Sequence, residues 1–394
     1  MPRRYVSPDS RKPFLDRRRV LKMAESAHAY VRGNTIQFYD WLGGAAAVKS
    51  VPAGPPIWIC GDCHIGNLGP VADLDGTVDI QIRDLDQTVI GNPAHDLLRL
   101  GLSLAMAARS SDLPGITTAL IIEAMTDAYT KTLSGRRANV EAGEIAPVAK
   151  VMRNALKRRW RHLAEERIED VSPRIPLGAK FWPLTKEEET ALKLLFEGDK
   201  ERELLRCLTR SKKNKSIELV DSAYWLKGCS SLGRLRVAAL VRADKKYRLF
   251  DVKEAIKAAA PRAKDAEMPK NEAQRVVEGA RHLSPFLGER MVATVLAGRS
   301  VVVRELRPQD IKFDLSTLTQ KEAVLTGRLF AAVVGRAHAR QMHRKERSAW
   351  AKELRAGHQK KLEAPSWLWK GVVELVGRHE ESYLMHCRAV ALFP

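Results

Sequence analysis

Apolar residues recur at intervals of three and four along most of this chain, and at intervals of two in one central stretch. Val20, Ala24, Ala27 and Val31 keep helical spacing, which predicts a helix over residues 14–31. Arg32-Gly33 interrupts it, and 36–42 reads as a second helix. The turn-rich run VPAGPP at 51–56 leads into a short apolar strand at 57–60. Residues 68–83 read as a hairpin with Asp75-Gly76 near its turn. Residues 94–109 are apolar almost all round, as expected of a central buried helix. Further helices are predicted at 116–132, at 144–168 and, after a Pro-containing connection over 171–184, at 185–197.

From 217 to 253 the pattern changes to alternation in IELVDSAYWLK, RLRVAALV and YRLFDVKEA, which predicts three strands. A helix at 271–283 follows, then a hairpin, MVATVLAG and RSVVVREL, ending at Arg307-Pro308. Helices at 320–343 and 366–390 complete the chain. The expected fold class is α+β, with a helical unit over 1–215, a β-rich unit over 216–310 and helices over 311–394 that return to the first unit. There is no internal repeat and no low-complexity tract.

Composition fits a globular chain. Of 394 residues, 45% are hydrophobic and 29% charged, which excludes a disordered polymer. Lys and Arg number 67 against 47 Asp and Glu, a formal charge of +20. Such an excess favours an anionic partner: a nucleotide, a phosphorylated metabolite, nucleic acid or an acidic surface. Five Cys at uneven spacing form no disulfide framework and suit a reducing compartment. The basic N-terminus lacks an apolar core, and no run of ~18 apolar residues occurs. The expectation is a cytoplasmic protein without a membrane span.

The chemistry concentrates between residues 57 and 100. Asp62 lies in Gly61-Asp62-Cys63-His64-Ile65-Gly66-Asn67, directly after the strand at 57–60, and Asp84-Leu85-Asp86 ends the following hairpin. An Asp can orient a hydroxyl proton, an Asn five residues later can hold a metal, and an Asp at a strand end can hold Mg²⁺ on nucleotide phosphates. Asp62 is therefore the candidate base, and Asn67 and Asp84 are the candidate metal ligands. Asp96 opens the buried helix as a cap and brace, with His64 as further support.

A second group is Gly228-Cys229-Ser230-Ser231-Leu232-Gly233, a turn between two strands, with Lys253 twenty residues beyond it inside an apolar strand. Gly228, Ser230, Ser231 and Gly233 are candidates to approach phosphates through their backbone. Lys253 must aim its ammonium at an anion or a carboxylate. Glu278 or Glu272 on the next helix is the expected partner of Lys253. Glu305, ahead of Arg307-Pro308, is the candidate hinge whose backbone would read adenine. Cys60-Gly61-Asp62-Cys63-His64 also matches the haem pattern C-x-x-C-H. Haem attachment belongs outside the cytosol and zinc wants four ligands, so neither is expected. The basic helix over 150–162, with the run Lys157–His162 and Trp160 inside it, is a candidate nucleic-acid contact.

Together these residues resemble an uncharacterised bacterial family, domain-of-unknown-function family 2252. The resemblance spans most of the chain: Ala29-Tyr30-Val31-Arg32-Gly33, Gly61 to Gly69, Asp84-Leu85-Asp86, Asp96, Val252-Lys253-Glu254-Ala255, Gln274 to Gly279 and Ala337-His338-Ala339. The loop at Asp62 is also similar to the catalytic loop of aminoglycoside phosphotransferases, apart from Cys60, where those enzymes carry a His. The resemblance implies a two-lobed, protein-kinase-like fold and Mg-ATP between the lobes, with transfer to a hydroxyl-bearing acceptor. The parts run in permuted order, because the Asp62 and Asp84 loops precede the glycine turn and Lys253. Circular permutation reconciles the two orders, places the helix at 320–343 at the entry to the Asp62 loop, and requires Lys253 to lie near Asp84. The alternatives are a nucleotide-binding pseudokinase, an AMP-transferring enzyme and a basic nucleic-acid-binding protein.

Overall fold

The structure is a computed structural model that describes residues 8–44, 49–138, 140–167, 173–198, 208, 217–229, 232–243, 246–313, 317–356, 358–359 and 362–392. Ser26 Oγ accepts a hydrogen bond from Ala29 N at 3.0 Å and caps a new helix. The helix expected over 14–31 is therefore two, α1 (Pro8–Ala24) and α2 (Ala27–Gly33). Asn34 caps α3 (Thr35–Leu42). Strands β1 (Ile57–Ile59), β2 (Leu68–Ala72), β3 (Val78–Ile82) and β4 (Val89–Gly91) follow. The hairpin β2–β3 turns near Gly76, whose φ is +92°. β1 pairs antiparallel with β4, a strand the alternation did not reveal because three residues are too few to show a period.

Helix α4 (Pro93–Ser110) is buried on nearly every side, and α5 (Ile116–Leu133) packs beside it. The expected helix over 144–168 is broken into α6 (Ala146–Lys157) and α7 (Trp160–Arg167). Arg158 turns to extended backbone there, and its Nε donates to Pro308 O at 2.8 Å. Trp160 packs on an apolar cluster of the central sheet, so the basic run does not present one continuous face. β5 (Phe181–Trp182), α8 (Lys186–Glu197), β6 (Ile217–Trp225), β7 (Arg236–Ala243) and β8 (Lys246–Glu254) come next. Then come α9 (Glu272–Leu283), the short α10 (Pro285–Gly288), β9 (Met291–Leu296) and β10 (Arg299–Glu305). The last elements are α11 (Gln320–Ala339), α12 (Arg344–Arg355), β11 (His358–Gln359), β12 (Leu362–Pro365) and α13 (Ser366–Leu392).

The fold is α+β with antiparallel sheets. The largest sheet has the order β5-β6-β7-β8-β10-β9. Its period-two pattern separates two faces. Val237, Phe250, Val252, Val301 and Val303 pack on Leu192, Leu195 and Phe196 of α8, with Leu15 of α1 in the same cluster. The expected boundary at 216 divides that core, since β5 pairs with β6 in the same sheet and α8 packs on its face. The opposite face carries Arg236 and Val302, both in register with Lys253, and Arg304 in register with Asp251. The largest apolar core gathers α3, α4, α5, α11 and α13 around β1. Among the described residues no helix is long and apolar enough to cross a membrane.

Helix α9 lies close against the turn that follows Asp86. A Cβ at Gly279 would sit 2.4 Å from Thr88 Cγ2, and Thr88 is itself fully buried with Oγ1 donating to Ile59 O at 2.6 Å. Gly279→Ala is expected to lower unfolding free energy by about 1–3 kcal/mol through overpacking. Urea denaturation checks this, and an unchanged midpoint would mean that α9 can shift freely.

Candidate functional site

The site begins with a buried carboxylate. Asn92 caps α4, Pro93 fits its first turn, and Asp96 follows in that same turn with no exposure. Asp96 Oδ2 accepts from Cys60 N at 2.7 Å and Oδ1 from Gly61 N at 2.9 Å. His338 Nε2 of α11 lies 3.1 Å from the same Oδ2. Its Nδ1 is 2.8 Å from Tyr129 Oη, which accepts from Trp350 Nε1 at 3.2 Å. Gln341, just past α11, bonds both the N–H and the carbonyl of Trp58 in β1. These contacts fix the chain as it leaves β1, and Gly61, at φ +73°, then turns it toward Asp62.

Asp62 is 8% exposed. Its Oδ1 accepts from Arg99 Nε at 2.8 Å, one turn along α4 from Asp96. Burial pushes the Asp62 carboxyl up, and the Arg99 charge opposes that rise. His64 Nε2 stands 3.8 Å from Asp62 Oδ2. Burial first, then the charges of Arg32 and Arg99, push the His64 imidazole well below its ordinary value, so it is neutral at pH 7. A neutral ring agrees with Nδ1 accepting from Gly66 N at 3.1 Å. Asn67 Nδ2 donates to the Asp62 carbonyl at 3.0 Å. With its NH₂ end used there, the Asn67 oxygen is the end left to bind a hard cation.

Asp84 follows β3, and Cys60 Sγ lies 3.7 Å from its carbonyl, which links the two loops. Lys253 Nζ reaches Asp84 Oδ1 at 3.5 Å and also contacts Asp86 Oδ2. Residues 169 positions apart therefore meet. Burial opposes ionisation of Asp84, but the Lys253 and Arg236 charges outweigh it and hold its carboxyl well below the usual carboxylate range. Burial and the neighbouring Asp84 charge push Asp86 up. Asp84, with its side chain 48% exposed, is the more open carboxylate of the pair.

Asp62, Asn67, Asp84, Gly228 and Arg236 border one cleft of about 160 Å³. Its described lining holds eight Lys or Arg side chains against three Asp. Gly228 and Gly233 have φ of +98° and +90°, so the turn between β6 and β7 uses glycine where other residues are strained. Ser230 and Ser231 lie outside the described residues. The arrangement places two hard-oxygen donors, a carboxylate and a surplus of cations around one small space. That combination can hold a metal-bound polyphosphate beside a group able to orient a hydroxyl.

Two expected contacts are corrected. Glu278 bonds Arg281 at 2.6 Å and Glu272 bonds Arg275 at 2.6 Å, so neither reaches Lys253. Arg275 is the residue that ties α9 to the site, donating to the carbonyls of Thr88, of Asp86 at 3.0 Å and of Ile256 at 2.9 Å. Glu305 does not offer its backbone to a ligand. Its N–H donates to Arg290 O at 3.2 Å and its carbonyl accepts from Arg290 Nη1 at 2.9 Å. Its carboxylate pairs with Arg248 and Arg307. Cys60, Cys63 and Asp96 offer ligand atoms within 4.8 Å of one another, yet both Asp96 oxygens already accept backbone hydrogen bonds. Arg99 and Arg236 were missed as site residues. Arg99 carried a signal, since an Arg in a helix apolar all round must find a carboxylate.

Asp96→Asn leaves the shape but removes the charge that serves three partners. It is expected to cost about 2–3 kcal/mol in a urea titration, the range for hydrogen bonds to a charged group. A second expectation concerns acid. Asp84, Asp251 and Asp310 are all held well below the ordinary range, against the opposing effect of burial: Asp84 by Lys253 and Arg236, Asp251 by Arg236 and Lys227, Asp310 by Arg290 and Arg304. A depressed folded pKa stabilises above the unfolded value of about 4 and loses that contribution as pH falls below it. Unfolding free energy should therefore drop steadily from pH 5 to pH 2, and a flat profile would contradict these ion pairs.

No curated protein and no solved structure matches this sequence. A family model described as an uncharacterized protein conserved in bacteria, DUF2252, matches residues 11–389. Coverage of nearly the whole chain, including the Asp62, Asp84 and Lys253 segments, shows that the protein belongs to the DUF2252 family.

Proposed function

We propose that this protein is an ATP-dependent phosphotransferase with a circularly permuted, two-lobed, kinase-like fold. The observation that carries the reading is the meeting of Lys253 with Asp84 at 3.5 Å, beside an Asn67 amide bonded to the Asp62 carbonyl. Far-apart segments supply the three functions that phosphoryl transfer needs: a cation for the phosphates, oxygen ligands for a metal, and a carboxylate for the acceptor hydroxyl. The order of the chain supports the permutation. Helix α11 ends beside β1, where Gln341 bonds Trp58, so a chain continuing from α11 into β1 would restore the usual sequence of parts.

In this reading Lys253 grips phosphate, and Asn67 and Asp84 hold Mg²⁺. When bound, the metal neutralises charge on the nucleotide phosphates. Asp62 orients the acceptor hydroxyl. Its pairing with Arg99 suits a positioning role more than that of a strong base, which is enough where the transition state is loose. Most of the rate enhancement would come from alignment and charge neutralisation.

Thermal melting with and without Mg-ATP tests nucleotide binding. The wild type should be stabilised in a Mg²⁺-dependent way, by about 2–3 kcal/mol near a hundredfold excess over Kd. Asp84→Asn should lose most of that response while keeping its fold. No rise at millimolar Mg-ATP would defeat the proposal. Incubation with ATP labelled at the α or γ position then separates phosphoryl from AMP transfer, and binding without turnover would identify a pseudokinase.

A further inference from the structure

Most cations of the cleft already have partners. Arg236 pairs with Asp251, Arg304 with Asp310, and Arg307 with Glu305. Arg83 donates to the carbonyls of Asp310 and Ile311. Arg32 and Lys312 differ: among the described residues neither has a hydrogen-bond acceptor or a paired carboxylate, and the buried Nε of Arg32 lacks a partner, as do those of Arg83, Arg304 and Arg307, whose other nitrogens are bonded. Arg32 ends α2, and its guanidinium lies over Gly66, where a Cβ would come within 3.1 Å of Nε. It therefore stands above the loop that carries Asp62 and His64. Lys312 is not a free surface lysine on a wandering loop. The two residues before it are pinned, Asp310 by Arg290 and Arg304, and the Ile311 carbonyl by Arg83 at 2.5 Å. Its ammonium loses hydration in the cleft and feels Arg32 and Arg83, which outweigh the opposing Asp84 charge and push it down to about 8. Two like charges held toward one space and only partly offset are unfavourable unless an anion enters.

The charge count carries the argument further. Mg-ATP brings roughly two net negative charges, because the metal cancels part of the phosphate charge. Eight Lys or Arg line the cleft against three Asp, and Asp251 and Glu305 behind the lining answer Arg236 and Arg307, which leaves Arg32 and Lys312 among the cations without a paired carboxylate. Arg32, over Gly66, places one of these cations on the Asp62 loop. A monocarboxylate would leave one of the two cations uncompensated, whereas a phosphate monoester is close to a dianion at neutral pH and accepts several hydrogen bonds.

We propose that Arg32 and Lys312 anchor the phosphate monoester of a small phosphorylated acceptor, so that its free hydroxyl faces Asp62. This deepens the phosphotransferase reading and rests on it for the role of Asp62.

The test uses thermal melting of the full chain with D-ribose 5-phosphate and glycerol 3-phosphate as probes, with ribose and glycerol as neutral controls. Each is added with and without saturating Mg²⁺ and a non-hydrolysable ATP analogue. The phosphorylated probes should raise Tm on top of the nucleotide, and the neutral compounds should not. Arg32→Gln and Lys312→Gln should each weaken the sugar phosphates by about tenfold or more, as expected for loss of a charged hydrogen bond. The nucleotide response should stay within about twofold of wild type. Both variants should be at least as stable as wild type without ligand, because removing an unpaired cation relieves repulsion. Unchanged sugar-phosphate binding in both variants would overturn the anchor, as would equal responses to the neutral compounds or a parallel loss of the nucleotide response. If Mg-nucleotide binding is absent but the phosphorylated probes still bind through Arg32 and Lys312, the anion site stands and the phosphotransferase reading fails.

Discussion

The arrangement depends on one fully buried carboxylate. Asp96 has no exposure, and an unpaired charge in that position would be strongly destabilising. It is tolerated because two backbone N–H groups and a histidine meet its two oxygens. The partners come from the exit of β1 and the end of α11, and Asp96 itself stands in the first turn of α4. Satisfying a single charge therefore fixes three elements together. The backbone that follows has little choice of direction, and Asp62, Asn67 and the Asp84 loop take their positions from it.

A second constraint is the placement of cations. The sheet turns Arg236, Lys253 and Arg304 to one face through the period of two along β7, β8 and β10. The ordinary way to quiet such a face is to supply carboxylates, and Asp84, Asp86, Asp251 and Asp310 do so in part. The compensation is uneven. It is complete near Asp310, where Arg290 is wholly buried against its partner, and incomplete toward Arg32 and Lys312. An imbalance that is kept in a packed protein points to a ligand of opposite charge, because repulsion between fixed cations lowers stability.

Much of this was legible in the residues, for identifiable reasons. Asp62, Asn67 and Asp84 stood out because three oxygen ligands on short turns between apolar strands are costly to bury without a task. Lys253 stood out for the same reason inside LFDVKEA. Its partner was misread. A Glu on the next helix is the expectation from order along the chain, but Glu278 and Glu272 sit beside basic residues at i+3 on their own helix, where local pairing is easier. The helix over 144–168 was overextended because charge and propensity continue through Arg158-Arg159, while the break comes from a bond to the distant Pro308 carbonyl.

The sequence by itself determined the class of fold, most of the helices and strands, and the loops that hold the candidate chemistry. Those follow from local quantities: the period of apolar residues, turn-forming glycines and the cost of burying charge. Which side chains meet was decided only by tertiary structure. Lys253 on Asp84, Arg99 on Asp62, Arg275 on the turn after Asp86 and the Arg32–Lys312 pair join segments up to several hundred residues apart, and no local pattern encodes such distances. Electrostatic partners are chosen by proximity in three dimensions, and that proximity exists only once the apolar cores have packed.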